Sequence, residues 1–452
     1  MRLRKTITTI VATAILLAGW QLFAVIANQP ALIPSLPRLV RTLCEWLVSG
    51  RFFQSVGATI LRGVLGMSIS FVCAIGMAGL FARFEWVYEL FRPLLAIMRS
   101  IPVISFILLA LIFLNPESIP LMIAFLTMFP LLTENLTRGI LDLRPGLSIM
   151  ARQFHIRRSN VLFQIIYPQL KPFLYSGLAS AAGFGWRAII MGEVLSQCAF
   201  GIGSEMKRAQ NFIAVPELLA WTIVAVFISF FFDKGISKVA DITPKISFAN
   251  EDQTIPTPTL SVLDTKDISY QYGIQHFSHS FQKGIIYGIS APSGKGKTTL
   301  LNLIGGILLP TEGEIHPTRH FGIATIFQQP QLLPHLTAEE NIILPLSSFL
   351  TEEKARRIAQ KHLQEMEMEP FGHRYPNELS YGQQQRIAIA RALAYPSPLL
   401  WMDEPCKGLD EALSHRIIER IREKQMKEER IILFTSHNPD EIRLLADEVI
   451  YL

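Results

Sequence analysis

The chain is short of charge. Only 17% of its 452 residues are Asp, Glu, Lys or Arg, and half are hydrophobic. So apolar a composition excludes an ordinary soluble enzyme and points to membrane spans. Cysteine is scarce as well: Cys44, Cys73, Cys198 and Cys406 are the full set. None forms a CxxC or Cys/His cluster, so neither a zinc site nor a disulfide framework is indicated. The net charge of +5 comes with no nucleic-acid readout motif. Basic residues on cytoplasmic membrane loops account for that excess without a nucleic acid.

The apolar runs concentrate in residues 1–240, read as a transmembrane domain. MRLRK followed by ITTIVATAILLAGWQLFAVIA fits a signal peptide in outline, with Val25-Ile26-Ala27 resembling a cleavage site. Its run of about 20 residues exceeds a signal core of roughly 7–15, so a retained span is expected. Further spans are expected at 64–82, 101–114, 119–133, 173–192 and 214–232, six in all. Arg138, Arg144, Arg152, Arg157, Arg158 and Lys171 face only Asp142 in the loop between the fourth and fifth spans. The positive-inside tendency puts that loop, and with it the C-terminal half, in the cytoplasm. Arg38, Arg41 and Arg51 pull weakly the other way. Residues 241–259 are polar with three prolines and read as an extended, unpacked linker.

Residues 260–452 alternate short apolar runs (IIYGIS, FGIATIF, PLLWMDEP, RIILFTSH) with helical stretches. That alternation predicts an α/β domain with a largely parallel sheet. APSGKGKT, Ala291 to Thr298, fits GxxxxGK[ST] except at its first position. It follows the strand IIYGIS and precedes the helix pattern LLNLIGGI. Such a loop turns backbone N–H groups inward around phosphates at a helix N-terminus. Gly294 and Gly296 allow close backbone approach, Lys297 reaches the β and γ phosphates, and the Thr298 hydroxyl ligates Mg²⁺. Ala291 is costly only if its position needs φ > 0. Asp403 and Glu404 end the strand PLLWMDEP. Taken alone such a pair is commonly a solvated turn, but at a strand tip Asp403 can hold Mg²⁺ and Glu404 can activate water.

Between the loop and the acidic pair lies LSYGQQQR, Leu379 to Arg386. Here the sequence resembles ATP-binding cassette (ABC) proteins, whose signature reads LSGGQ; Tyr381 takes the third place. The resemblance covers 260–452 in the family's order: Tyr272 of QYG, the phosphate loop, Gln328 of IFQQP, the signature, Asp403-Glu404, Asp410 of KGLD and His437 of TSHNPD. It implies an ABC-type P-loop ATPase that binds ATP and Mg²⁺. Tyr272 would stack on adenine. Ala291, Pro292, Ser293, Gly294, Lys295, Gly296, Lys297, Thr298 and Thr299 would cradle the phosphates. Thr298, Gln328 and Asp403 would attend the metal. Glu404, His437, Gln328 and Lys297 would act in catalysis. Ser380, Gly382, Gln383 and Asp410 would complete a site shared with a second cassette, which implies a second copy of the chain or a homologous subunit.

The permease half resembles binding-protein-dependent importers, in particular the group handling nitrate, sulfonates, taurine, bicarbonate and some vitamin precursors. ALIPSLPRLVRTLCEWLVSG, FRPLLAIMRSIP and GFGWRAIIMGEVLSQCAFGIGSEM carry that likeness. The stretch 148–172 resembles their coupling loop (EAA, a glycine, then I-x-LP). Ile149 and Met150 stand for Glu and Ala, His155 stands for the glycine, and Ile165-Ile166-Tyr167-Pro168 keeps the end. The loop would dock in a cassette cleft near Gln328. Arg187 and Glu193 are ionisable at or near membrane depth, which suggests a pathway or a pairing; their spacing disfavours a pair within one helix. The resemblance thus implies a six-span, type I importer-like membrane domain joined to an ABC ATPase. It implies uptake of a small solute across the cytoplasmic membrane with an external substrate-binding protein. An exporter half-unit and an ATP-driven signalling complex that moves no solute are the alternatives.

Overall fold

The computed structural model describes residues 2–240, 244–253, 260–271, 273–292, 294–317 and 322–452. It forms two compact units, neither continuous in sequence. One joins Met1–Leu143 to Gln169–Thr243; the other joins Arg144–Pro168 to Pro244–Leu452. The linear boundary expected at 240 is therefore crossed, because the basic loop 144–168 belongs with the C-terminal half.

Four helices among the described residues are long and apolar enough to cross a bilayer: Gly50–Arg83, Ile119–Leu141 and Val215–Lys238 in the first unit, and Arg158–Ser196, whose residues up to Pro168 belong to the second. The expected span 101–114 is instead half of a bent pair. Glu85–Ser100 and Val103–Phe113 meet at 94°, and together they count as a fifth. Pro102 is the cause: it cannot donate a backbone hydrogen bond, and it holds Ile101 extended at ψ 130. Arg2–Ala27 is helical, but its apolar part, Val11–Ala27, falls short of a full span. By length and composition, the described residues thus supply four spans, or five with the bent pair.

Small residues run down the buried face of Gly50–Arg83: Thr59, Gly63, Gly66, Ser70, Ala74 and Ala78. A methyl group at Gly66 would come within 2.6 Å of Ala124 Cβ, so this helix and Ile119–Leu141 meet nearly backbone to backbone. Membrane helices without a hydrophobic drive between them associate through such close packing.

The second unit is built on two sheets. β1 (Val262–Tyr270), β2 (Ile274–Gln282) and β4 (Glu312–His316) form an antiparallel sheet in the order β2-β1-β4. β3 (Ile286–Ser290), β5 (Ala324–Ile326), β6 (Leu399–Asp403), β7 (Ile431–Thr435) and β8 (Glu448–Tyr451) form a parallel sheet in the order β5-β6-β7-β3-β8. Every residue of β6 and β7 is buried. That is why they read as unbroken apolar runs rather than alternating ones. β7 lies between β3 and β6, so the residues that follow these three strands gather along one edge of the sheet. Edges of this kind, at the carboxyl ends of parallel strands, hold ligands in α/β folds.

The described part of the expected linker, 244–253, is extended but not loose. Ile246 and Phe248 pack on the core of the second unit. Ala249 N donates to Ser347 O and Gln253 N to Phe349 O. The alternation Ile246-Ser247-Phe248 turns the apolar pair inward, and this offsets the polar composition that suggested a free tether.

Candidate functional site

The phosphate loop joins β3 to the helix Lys297–Ile304. Gly296 sits just before that helix at φ +91, and a methyl group there would lie 2.6 Å from Gly273 O. Only glycine fits both the conformation and the space. Gly294, at φ +81, also needs its freedom. Ala291 is not among the described residues at positive φ, so its side chain costs the loop nothing. Lys297 is buried, and its Nζ donates to Ala291 O at 2.7 Å. Pro292 and Lys295 are exposed, and Thr299 lies partly covered in the first turn of the helix. Tyr272 and Ser293 lie outside the described residues.

Asp403 closes β6. One carboxylate oxygen accepts from Thr298 Oγ1 at 3.0 Å, the other from Thr435 Oγ1 at 2.7 Å. This hydroxyl–carboxylate pair fits Mg²⁺, which takes one or two carboxylates plus phosphate oxygens and water rather than an all-protein cage. Consistently, no group of three or more His, Cys, Asp or Glu among the described residues could hold a metal alone. Thr435 escaped the sequence reading because its role depends on β7 lying beside β6.

Glu404 follows at φ +52, a sparsely populated conformation for a side-chain-bearing residue. Its carboxylate meets His437 Nε2 at 3.1 Å and Lys407 Nζ at 3.0 Å. Burial pushes its carboxyl up. The neighbouring Lys407 and Gln328, with the charges of Lys407 and His437, outweigh that and hold it below the ordinary glutamate value. The structure thus brings Glu404, Gln328 and His437 together as the sequence suggested, and adds Lys407. The only signal for Lys407 was its place three residues past Glu404, which matters once the turn is known.

Ser380 caps the helix Tyr381–Ala394 in a reciprocal capping box with Gln383. Gly382 packs so closely that a methyl group would lie 2.8 Å from Gly408 O. Ser380 is exposed. Among the described residues no hydrogen bond or ion pair joins 379–384 to 291–299. Tyr381 reaches the other way, its hydroxyl donating to Gln328 O at 2.6 Å. Asp410 caps Glu411–Glu428 by accepting from Leu413 N.

The loop 144–168 seats within the second unit. Leu147, Met150, Phe154 and Ile165 are buried in the same core as β6 and β7. Phe154 stands edge-on to Tyr395 at 5.1 Å, and Arg391 lies over its ring at 5.4 Å. Gln153 Nε2 donates to Gly305 O, and Asn160 Nδ2 to Ser347 Oγ and Ser247 O. Met150, where Ala was expected, fills core space. His155, in the place of a glycine, adopts φ +45 just after the helix Pro145–Gln153. That is a left-handed C-terminal position, which explains the glycine of the pattern. At Gly146 the loop lies against Gln331, three residues past Gln328: a methyl group there would meet its Oε1 at 2.5 Å.

In the first unit Glu193 is fully buried and pairs with Arg62 NH1 at 2.7 Å. Thr59 Oγ1 and Gly203 N also donate to it, each at 2.9 Å. It joins helices rather than lining a path. Arg187 is exposed and has no ion pair among the described residues.

Residues 274–407 match the family described as ABC transporter, and residues 70–233 the binding-protein-dependent transport system inner membrane component. The Fe(3+) ions import ATP-binding protein FbpC of Rhizobium etli is 35% identical over 189 residues, 40% of this chain and 54% of the relative. The chain thus spans about half the length of such curated relatives. A dimeric post-hydrolysis cassette bound to ADP and Pi shares 31% identity, covering 42% of this chain and 94% of that one, with a TM-score of 0.40. An uncharacterized ABC transporter ATP-binding protein of Methanocaldococcus jannaschii is 34% identical over 201 residues, 40% of this chain and 85% of the relative. With so much of an ABC ATP-binding protein matched, and an inner-membrane transport component matched ahead of it, this multi-pass chain belongs to the ABC transporter family.

Proposed function

We propose that the chain is half of an ATP-driven importer, permease and ATPase in one polypeptide. It takes up a small solute across the cytoplasmic membrane, with the ATPase domain in the cytoplasm. It works as a dimer with an external substrate-binding protein. The observation that carries the reading is the seating of 144–168 in the core that holds the nucleotide-edge strands. A membrane-half loop built into an ATPase core transmits its motion. The binding-protein-dependent match over 70–233 favours import over export. The permease stretches that resemble nitrate, sulfonate and taurine systems make a small polar solute the natural cargo. Six spans follow if Arg2–Ala27 and the bent pair each count as one.

ATP binds on the phosphate loop, with Lys297 supplying charge to the β and γ phosphates. Tyr272 would stack on the base. Thr298 and Asp403 would hold Mg²⁺, with Gln328 attending it, and the ion would neutralise phosphate charge. Glu404, kept ionised by its partners, takes a proton from the attacking water while His437 fixes its orientation. Ser380 and Gly382, at the start of a helix, engage the nucleotide of a second chain. A C2 dimer, symmetric and closed, is the simplest assembly. Closure of the two cassettes moves both 144–168 loops. Glu404→Gln should lower hydrolysis at least about 100-fold while ATP still binds. Hydrolysis at the unaltered rate would assign the base elsewhere. In liposomes, a cognate binding protein should stimulate the ATPase, and indifference to every candidate would remove the importer reading.

A further inference from the structure

We propose that Tyr381 is a positioning residue that links the two ATP sites of a dimer. It ties the signature of each cassette to Gln328 and Glu404 of that same cassette. The proposal rests on the dimeric reading above and deepens it.

The contact is peculiar to this chain's signature. Where the family pattern has glycine, Tyr381 brings a ring and a hydroxyl. Its backbone is fixed at the first position of Tyr381–Ala394 by the Ser380–Gln383 capping box. Its hydroxyl donates to Gln328 O at 2.6 Å. Its ring fills a tight slot: a methyl group on Gly408, itself at φ +77, would lie 2.6 Å from Tyr381 Cδ1. A short route then leads to Glu404. Lys407, next to Gly408, holds its carboxylate at 3.0 Å.

In a cassette dimer Ser380 and Gly382 face the partner's triphosphate, whereas Gln328 and Glu404 serve the chain's own nucleotide. A pull on the signature from one site therefore moves Tyr381 and, with it, the backbone of Gln328 and the cage around Glu404 at the other site. A glycine in that place transmits nothing by this route. The coupling is reciprocal, because both chains carry it.

The test is ATP binding and hydrolysis by the full-length protein in nanodiscs. Wild type should bind a fluorescent ATP analogue with a Hill coefficient above about 1.5, against a ceiling of two set by two sites. Tyr381→Phe keeps the ring and its packing on Gly408 and removes only the hydroxyl; it should lower the coefficient toward one in both assays. Tyr381→Gly should do the same, and a thermal unfolding midpoint shared by wild type and Tyr381→Phe separates the effect from misfolding. A wild-type coefficient of one, or Tyr381→Phe binding as cooperatively as wild type, overturns the proposal. Wild-type protein that stays monomeric in nanodiscs with ATP, by mass photometry, fails the underlying dimeric reading instead, and it is seen independently of binding cooperativity.

Discussion

Replacing Phe154 by Ala should undock the coupling loop without touching the nucleotide edge. The side chain is fully buried, edge-on to Tyr395 and beneath the Arg391 guanidinium. Truncating a buried Phe costs about 3–5 kcal/mol. Arg391 raises the stakes. Among the described residues it has no carboxylate partner and donates to Gln331 O and Pro330 O, and burial pulls it down to about 9. A desolvated cation over an aromatic face is worth up to about 2 kcal/mol, and the truncation removes that face. Taking about 3 kcal/mol for the loop, local opening becomes roughly 150-fold more frequent. Amide hydrogen exchange across 144–160 should quicken by about that factor, while the strands β6 and β7 keep their protection. Stimulation by a binding protein should be lost and ATP binding kept. Ser148→Ala, on the exposed side of the same helix, is the control and should change exchange less than about twofold. If Phe154→Ala exchanges like the control, the ring does not hold the loop and the coupling argument fails.

Two further outcomes can be checked directly. Gly296→Ala forces a methyl group into a left-handed position 2.6 Å from Gly273 O, so ATP affinity should fall by about tenfold or more. Ala291→Gly should change it less than about twofold; the reverse order in an equilibrium titration would mean the loop is held differently. His362 is buried with Glu365 Oε2 2.7 Å from its Nδ1 and Lys424 Nζ 3.2 Å from its Nε2; burial first, then the charges of Lys424, Lys361 and Arg430, pushes it down to about 3 despite that carboxylate. Its folded value lies below the unfolded one, so the histidine is neutral in both states above pH about 6.5 and stability is complete there. As pH falls, only the unfolded chain takes the proton, and stability drops by about 1.4 kcal/mol per unit until pH about 3. His362→Gln should flatten urea midpoints between pH 7 and 5, and an unaltered slope would exclude this histidine as the cause.

The nucleotide edge was legible because its residues are set by spacing along single strand–loop units. Lys297, Thr298, Asp403, Glu404 and His437 lie within a few residues of β3, β6 and β7, whose apolar runs announce them. What could not be read depended on neighbours across the fold. Thr435 bonds Asp403 only because β7 lies beside β6, and Lys407 reaches Glu404 only because the chain turns after β6. The tolerance of Ala291 is a matter of φ, which letters do not carry. Two failures had visible signals. Pro102 inside an apolar run marks a break, and Ile246 and Phe248, two apart in a polar stretch, mark a segment that packs. His155 belongs with Ala291 instead, because its left-handed turn shows only once φ is known.

One consequence follows from the compact unit assembled out of Arg144–Pro168 and Pro244–Leu452. Where permease and ATPase are separate polypeptides, a coupling loop must find its cleft from solution and hold it against dilution. Here connectivity keeps the two together at an effective concentration on the order of millimolar, whatever their mutual affinity. Selection on this loop can then favour reversible motion over grip. Departures such as Met150 and His155 cost the assembly little, because the chain itself never lets the partners part.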